Sequence, residues 1–304
     1  AILYELGLYY YQMQAYQTAL VYHLRALQAL PDEAANNTTS DLLYKTELCC
    51  GDDYYAQGDF KRACAHYERA RLQLRSEYNM NTAGQLYRGL GFCTYAAIYQ
   101  RSLLSLLGHQ RATAEEMEQE FQNAIGFLLQ SRILYQMSSD KAEETRARLA
   151  QAMVLLDFSN GRRQLALQSA DGSKQITITK CASLLNEAEE QCRQILMNWA
   201  TGESLSPEAI SVPMHLETDL YLALAYLTRV YIQKASLARL SSHSDTSMYE
   251  RTIAANLCQE VLDTFTAREL PFDVARMALN MKVGNQYIHL SLIHISEPTR
   301  QAEI

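Results

Sequence analysis

The spacing of small and aromatic residues in two stretches of this 304-residue chain constrains its fold more than any other feature. Residues 3–31 read LYELGLYYYQMQAYQTALVYHLRALQALP, and residues 47–70 read ELCCGDDYYAQGDFKRACAHYERA. In both, a glycine (Gly7, Gly51) precedes an alanine (Ala19, Ala63) by twelve positions, and a second alanine (Ala26, Ala70) follows seven later. A repeated spacing of this kind implies one supersecondary unit used several times, each burying its apolar face against the next. Two antiparallel helices approach closely only where a small residue faces a large one. Gly7 against Ala19, and Gly51 against Ala63, are therefore expected at the close contacts, with Tyr10 and Tyr54 filling the space beside them. Gly58-Asp59 reads as a turn followed by a helix N-cap, and Pro31 ends the second helix of its pair.

Leu3, Leu6, Gly7, Tyr10, Ala19, His23, Ala26 and Pro31 fall in order on the tetratricopeptide pattern, with His23 in an aromatic slot. Gly51, Tyr54, Gly58, Asp59, Phe60, Ala63, Tyr67 and Ala70 follow the same pattern. On these residues the chain resembles a tetratricopeptide-repeat protein. The resemblance implies an all-α fold, a right-handed superhelical solenoid of antiparallel helix pairs over residues 1–289. Later units are stretched. Tyr87, Leu90 and Gly91 open a third pair, whose second helix is expected over 115–135 with Ala124 in the small slot. A fourth pair is expected over 140–157 and 180–199, with Cys181, Leu185 and Ala188 in register. A fifth is expected over 216–238 and 248–265, followed by a lone helix at 272–289.

The connections are less regular. Asp32–Ser40 and residues 201–213 read as loops. Residues 160–179 alternate on either side of Asp171-Gly172 and predict a small β-hairpin insertion. Leu290–Arg300 reads LSLIHISEPTR, which resembles the translation of a transposase-type sequencing adapter, so 290–304 is expected to be a non-native tail.

Several function classes are disfavoured. The net charge is −7 and no basic run occurs, so direct nucleic-acid binding by this segment is not expected. No stretch approaches the roughly 18 apolar residues of a membrane helix. The seven cysteines lack C-x-x-C spacing and read as buried free thiols in a reducing cytoplasm. GLGFCT at Gly89–Thr94 lacks the third glycine of a dinucleotide fingerprint. His23, His66 and His109 are scattered singly, with no metal-ligand spacing. Neither a catalytic site nor a cofactor is expected.

Stacked helix pairs present a concave face lined by the first helix of each pair. The resemblance implies a protein- or peptide-binding scaffold working through that face. The alternative is the sensing region of a bacterial helix-turn-helix transcription regulator. The Lys and Asn of the family's carboxylate-binding clamp are replaced here by Tyr4 and Leu8, and by Leu48 and Asp52, so that mode is absent. Tyrosine is abundant, with 20 Tyr against 7 Phe and 1 Trp, and its apolar ring with a polar tip suits a binding groove. Carrying the register through three first helices aligns Tyr11, Tyr55 and Tyr95 along the groove. Tyr4, Leu8, Leu48, Arg88 and Phe92 take neighbouring groove positions, with Lys45 and Asp52 adding charge.

Overall fold

The computed structural model describes residues 1–30, 37–74, 79–106, 114–168, 171–200, 214–240, 246, 248–254 and 256. Among them there is helix and turn but no strand. The helices are α1 (Ile2–Gln12), α2 (Tyr16–Gln28), α3 (Asn37–Ala56), α4 (Phe60–Gln73), α5 (Met80–Leu106), α6 (Ala114–Met137), α7 (Lys141–Gln168), α8 (Asp171–Ala200) and α9 (Met214–Leu240). None of the described helices is long and apolar enough to cross a membrane. The chain divides into two compact units, Ala1–Ala147 and Arg148–Ile304.

In the first unit each helix from α1 to α6 packs on its sequence neighbours, and α3 also touches α1 and α5. The second helices carry a common buried triad, spaced by four and then three residues. It comprises Ala19, His23 and Ala26 in α2, Ala63, Tyr67 and Ala70 in α4, and Ala124, Leu128 and Ser131 in α6. Such spacing keeps three side chains on one helical stripe.

The glycines of the first helices face the middle member of this triad rather than the alanine before it. A Cβ on Gly7 would lie 2.3 Å from the His23 ring, one on Gly51 2.5 Å from the Tyr67 ring, and one on Gly91 2.6 Å from Leu128. The small residue therefore accommodates a ring or a branched side chain, and the alanines bring the backbones close enough to need it. Tyr67 is clamped from two sides, because a Cβ on Gly89 in α5 would lie 2.7 Å from its ring as well. Tyr44, Leu48, Leu86, Leu90 and Cys93 complete the core around it.

Three turns of this unit share one geometry, the third at Ser139 (φ 59°), where the Asp140 amide donates to the Tyr135 carbonyl at 3.0 Å. Gln14 (φ 58°) and Gly58 (φ 79°) end α1 and α3 in the left-handed region. The following amides, of Ala15 and Asp59, donate to the carbonyls of Tyr10 and Tyr54 at 2.9 and 3.0 Å. This closure satisfies carbonyls left open at a helix C-terminus. Asp59 then caps α4 by accepting from the Arg62 amide at 3.1 Å, whereas Ala15 gives α2 no side-chain cap.

In the second unit, Cys181, Leu185 and Ala188 of α8 are fully buried, in the same four-and-three spacing. The α8 helix packs on α9. It is tied to α7 by the Gln151 amide donating to Glu187 at 2.9 Å. The α9 helix reaches α7 through Arg229 and Asp157, 2.6 Å apart.

Helix occupies 160–168 and 171–179, where the alternating sequence predicts a β-hairpin. Five alternating residues, Gln175–Thr179, are too few to set a strand when a helical stripe continues beyond them. Ile178 is buried in line with Cys181, Leu185, Cys192 and Ile195, while Ile176 stays 64% exposed. The polar stretch 32–40, read as loop, is helical from Asn37 onward. The expected loop at 201–213, the helix at 272–289 and the tail at 290–304 lie outside the described residues.

Candidate functional site

The ten positions assigned to the groove separate into three groups. Leu48 is not a groove residue. It is 3% exposed and packs in the core with Tyr44 and Tyr67. Helix α3 is covered on both sides by neighbouring helices, so the position that leaves Tyr4 half-buried on α1 is sealed on α3.

A second group is engaged elsewhere in the protein. Arg88 forms an ion pair with Glu143, and its guanidinium lies 5.8 Å from the Tyr135 ring centroid. Lys45 pairs with Asp41 one turn earlier at 2.8 Å, a surface contact that adds little stability. Tyr4 tilts over His23 with ring centroids 5.9 Å apart. Burial, with the nearby Cys49 thiol second, pushes its phenol well above the ordinary range. Leu8 and Tyr95 are half-buried, and Tyr95 lies beside Tyr99 at 6.3 Å.

The third group lies along α3, which touches both α1 and α5. Tyr11 stands edge-on to Tyr16, with centroids 5.3 Å apart. Tyr55 lies tilted against Phe60 at 5.4 Å, and also meets Phe92 of the next pair at 6.3 Å. Tyr55 remains 37% exposed despite both neighbours. One turn before it on the same face of α3, Asp52 accepts from the Tyr67 hydroxyl at 2.6 Å and from the Gln85 amide at 3.2 Å. Burial raises the Asp52 carboxyl to about 6, against the lowering effects of Tyr67, Arg88 and Gln85. Burial also raises the Tyr11 phenol, with the Asp52 charge the next cause.

Tyr67 and Gln85 belong to this site although sequence reasoning assigned neither. The signal for Tyr67 was available: a buried tyrosine needs a partner for its hydroxyl, and Asp52 lies on the helix that Tyr67 packs against.

Two buried histidine–carboxylate contacts also escape a spacing search. His23 meets Asp53, and His66 meets Glu47, each at 2.6 Å. Glu47 borders a cleft of about 390 Å³ between α2, α3 and α4, beside Leu27, Leu43 and Leu72. Its carboxylate is already engaged by His66 and by Arg69 at 3.5 Å. Among the described residues no group of three or more His, Cys, Asp or Glu could hold a metal ion.

No protein-family model matches the chain, and no curated protein matches its sequence. Chemically, the arrangement offers half-exposed aromatic surface beside one carboxylate. Such a surface suits recognition, because rigid aromatics bury large areas at little entropic cost.

Proposed function

We propose that this chain is a tetratricopeptide-like array following a right-handed superhelical path, and that it binds a protein or peptide segment on the face formed by its first helices. The reading is supported by the buried triads of α2, α4, α6 and α8 and by the glycines that receive the middle residue in the first three. It carries no catalytic role and no cofactor, and it places the protein in a reducing cytoplasm, where thiols such as Cys50 and Cys93 stay free.

One observation carries the binding assignment: Tyr55 stays 37% exposed at the register position it shares with Tyr11 and Tyr95, although Phe60 and Phe92 flank it. A purely structural aromatic between two helix pairs would be covered. The test is Tyr55→Ala, read both by selection from a displayed peptide library and by thermal melting. Binding should weaken by more than about 1 kcal/mol with little loss of stability. A destabilisation of roughly 3 kcal/mol or more, as expected for truncating a core aromatic, would assign Tyr55 to packing and remove the groove.

A further inference from the structure

We infer that the groove recognises a segment anchored by a cationic side chain, arginine or lysine, seated on Asp52 between Tyr11, Tyr55 and Phe92. This rests on the peptide-binding reading above and names the chemistry of its ligand.

Asp52 is a carboxylate served only by neutral donors. The Tyr67 hydroxyl and the Gln85 amide each give it one hydrogen bond, and an ionised carboxylate accepts about four. Arg88 lowers its pKa from nearby, but that guanidinium makes its ion pair with Glu143, which it shares with Arg146, and not with Asp52. Among the described residues no ion pair to Asp52 occurs. A partly buried carboxylate with no direct ion pair opposes folding, and groups perturbed in this way are enriched at functional sites.

The surroundings select the sign of the ligand. Ring faces attract cations through their quadrupoles; the Tyr11 phenol is near enough to feel the Asp52 charge, and Tyr55, one turn beyond Asp52, meets Phe92. A ligand carboxylate would meet Asp52 as a like charge, with Asp53 behind it on α3. A guanidinium or ammonium would complete the hydrogen bonding of Asp52 and replace water lost from it.

The pH dependence follows from the groups facing Asp52. These are Tyr11 on α1, Cys49 and Asp53 on α3, Tyr67 on α4, and Arg88 and Cys93 on α5. Burial raises the phenols of Tyr11 and Tyr67 and the Cys49 thiol. For Cys93 the hydrogen bond with Cys64 comes first and burial second. All four groups therefore stay neutral below pH 8. Asp53 faces the buried His23 rather than the groove. Ionisation of Asp52 near pH 6 should thus dominate the binding profile, with cation affinity rising as pH increases through that value.

The experiment uses the full chain and an array of extended ten-residue peptides in which one position is arginine, lysine, norleucine or glutamate. Arginine and lysine peptides should bind at least about tenfold tighter than their norleucine counterparts at pH 7.5, since close interfacial charge pairs exceed that energy. The preference should fade below pH 6. Asp52→Asn should abolish the preference. It should also melt no lower than wild type at pH 7.5, because it removes a charge that burial disfavours. An unchanged preference in Asp52→Asn, or a preference for glutamate, overturns the inference while leaving the groove in place, provided Tyr55→Ala still weakens all peptides together. Absence of binding by every peptide overturns the groove itself, and this inference with it.

Discussion

Nδ1 of His23 lies 2.6 Å from Oδ2 of Asp53, thirty positions later in the chain, with both side chains fully buried. The contact joins α2 of the first helix pair to α3 of the second. It replaces apolar contact at a boundary where the neighbouring residues, Gly7, Ala19 and Ala26, leave little room for anything larger. Burial raises the Asp53 carboxyl, and the hydrogen bond from His23 offsets part of that effect.

Removing one partner should cost far more than removing both. His23→Ala leaves Asp53 buried and unmatched, and should destabilise the first unit by about 3–5 kcal/mol. The double variant His23→Leu/Asp53→Leu should recover most of that loss. Urea titration of the single and double variants measures the difference. Equal losses in both would show that volume, not charge, governs the site.

Glycine-to-alanine changes should have opposite signs at different helical positions. A Cβ on Gly51 would lie 2.5 Å from the Tyr67 ring, whereas nothing lies within 4 Å of a Cβ on Gly126. Helix propensity alone favours alanine by about 1 kcal/mol. Gly126→Ala should therefore stabilise by about that amount, while Gly51→Ala should destabilise by about 1–3 kcal/mol through overpacking. Chemical denaturation of the two variants reads both signs.

The α1–α2 turn can be improved by copying the α3–α4 turn. Gln14 adopts φ 58° where Gly58 adopts φ 79°, and Ala15 stands where Asp59 caps its helix. A non-glycine residue in this region pays about 1–2 kcal/mol, and a missing N-cap costs about 0.5–2 kcal/mol. Gln14→Gly and Ala15→Asp should each raise the melting temperature, and their combination should be close to additive. Calorimetry on the single and double variants tests this.

Glu189 makes the second unit sensitive to acid. Burial alone would raise its carboxyl, but hydrogen bonds from Lys234, Tyr231 and Arg193 outweigh it and hold the group at about 2, below its ordinary 4.5. The unfolded chain therefore binds the proton more readily than the folded one. The resulting stability is fully present above pH 4.5 and is lost as pH falls through 2. Glu189→Gln should be less stable than wild type at pH 7, with the gap narrowing from pH 4.5 downward. Denaturant melts at several pH values measure it, and a constant gap would show that Glu189 acts by packing alone.

The sequence made the helix pairs of the first unit legible because a glycine recurs at the same slot of α1, α3 and α5, where a side chain from the facing helix crowds in. Gly7, Gly51 and Gly91 mark those places, and Gly58-Asp59 marks a turn and cap in two residues. The segment 160–179 misled because period-two alternation over five residues is also compatible with a helix, and only the stripe from Ile178 to Ile195 decides between them. Leu48 misled for a different reason. The same slot is half-buried at Tyr4 on α1 and sealed at Leu48 on α3, which packs between α2, α4 and α5. The contact of His23 with Asp53 depends on how one pair rests on the next, which no local spacing encodes.

The position of Tyr67 between Gly51 and Gly89 bears on how the first unit melts. Arrays of repeats often lose their elements one at a time, each interface failing independently. A single ring wedged into both its own pair and the following one removes that independence, since neither pair can separate without exposing it. Amide hydrogens of α3, α4 and α5 should then exchange with a shared opening free energy, while α1 and α2 open more easily ahead of them. Because the hydroxyl of that ring also holds Asp52, a ligand gripping the carboxylate would tighten the same cooperative block and slow its exchange across all three helices.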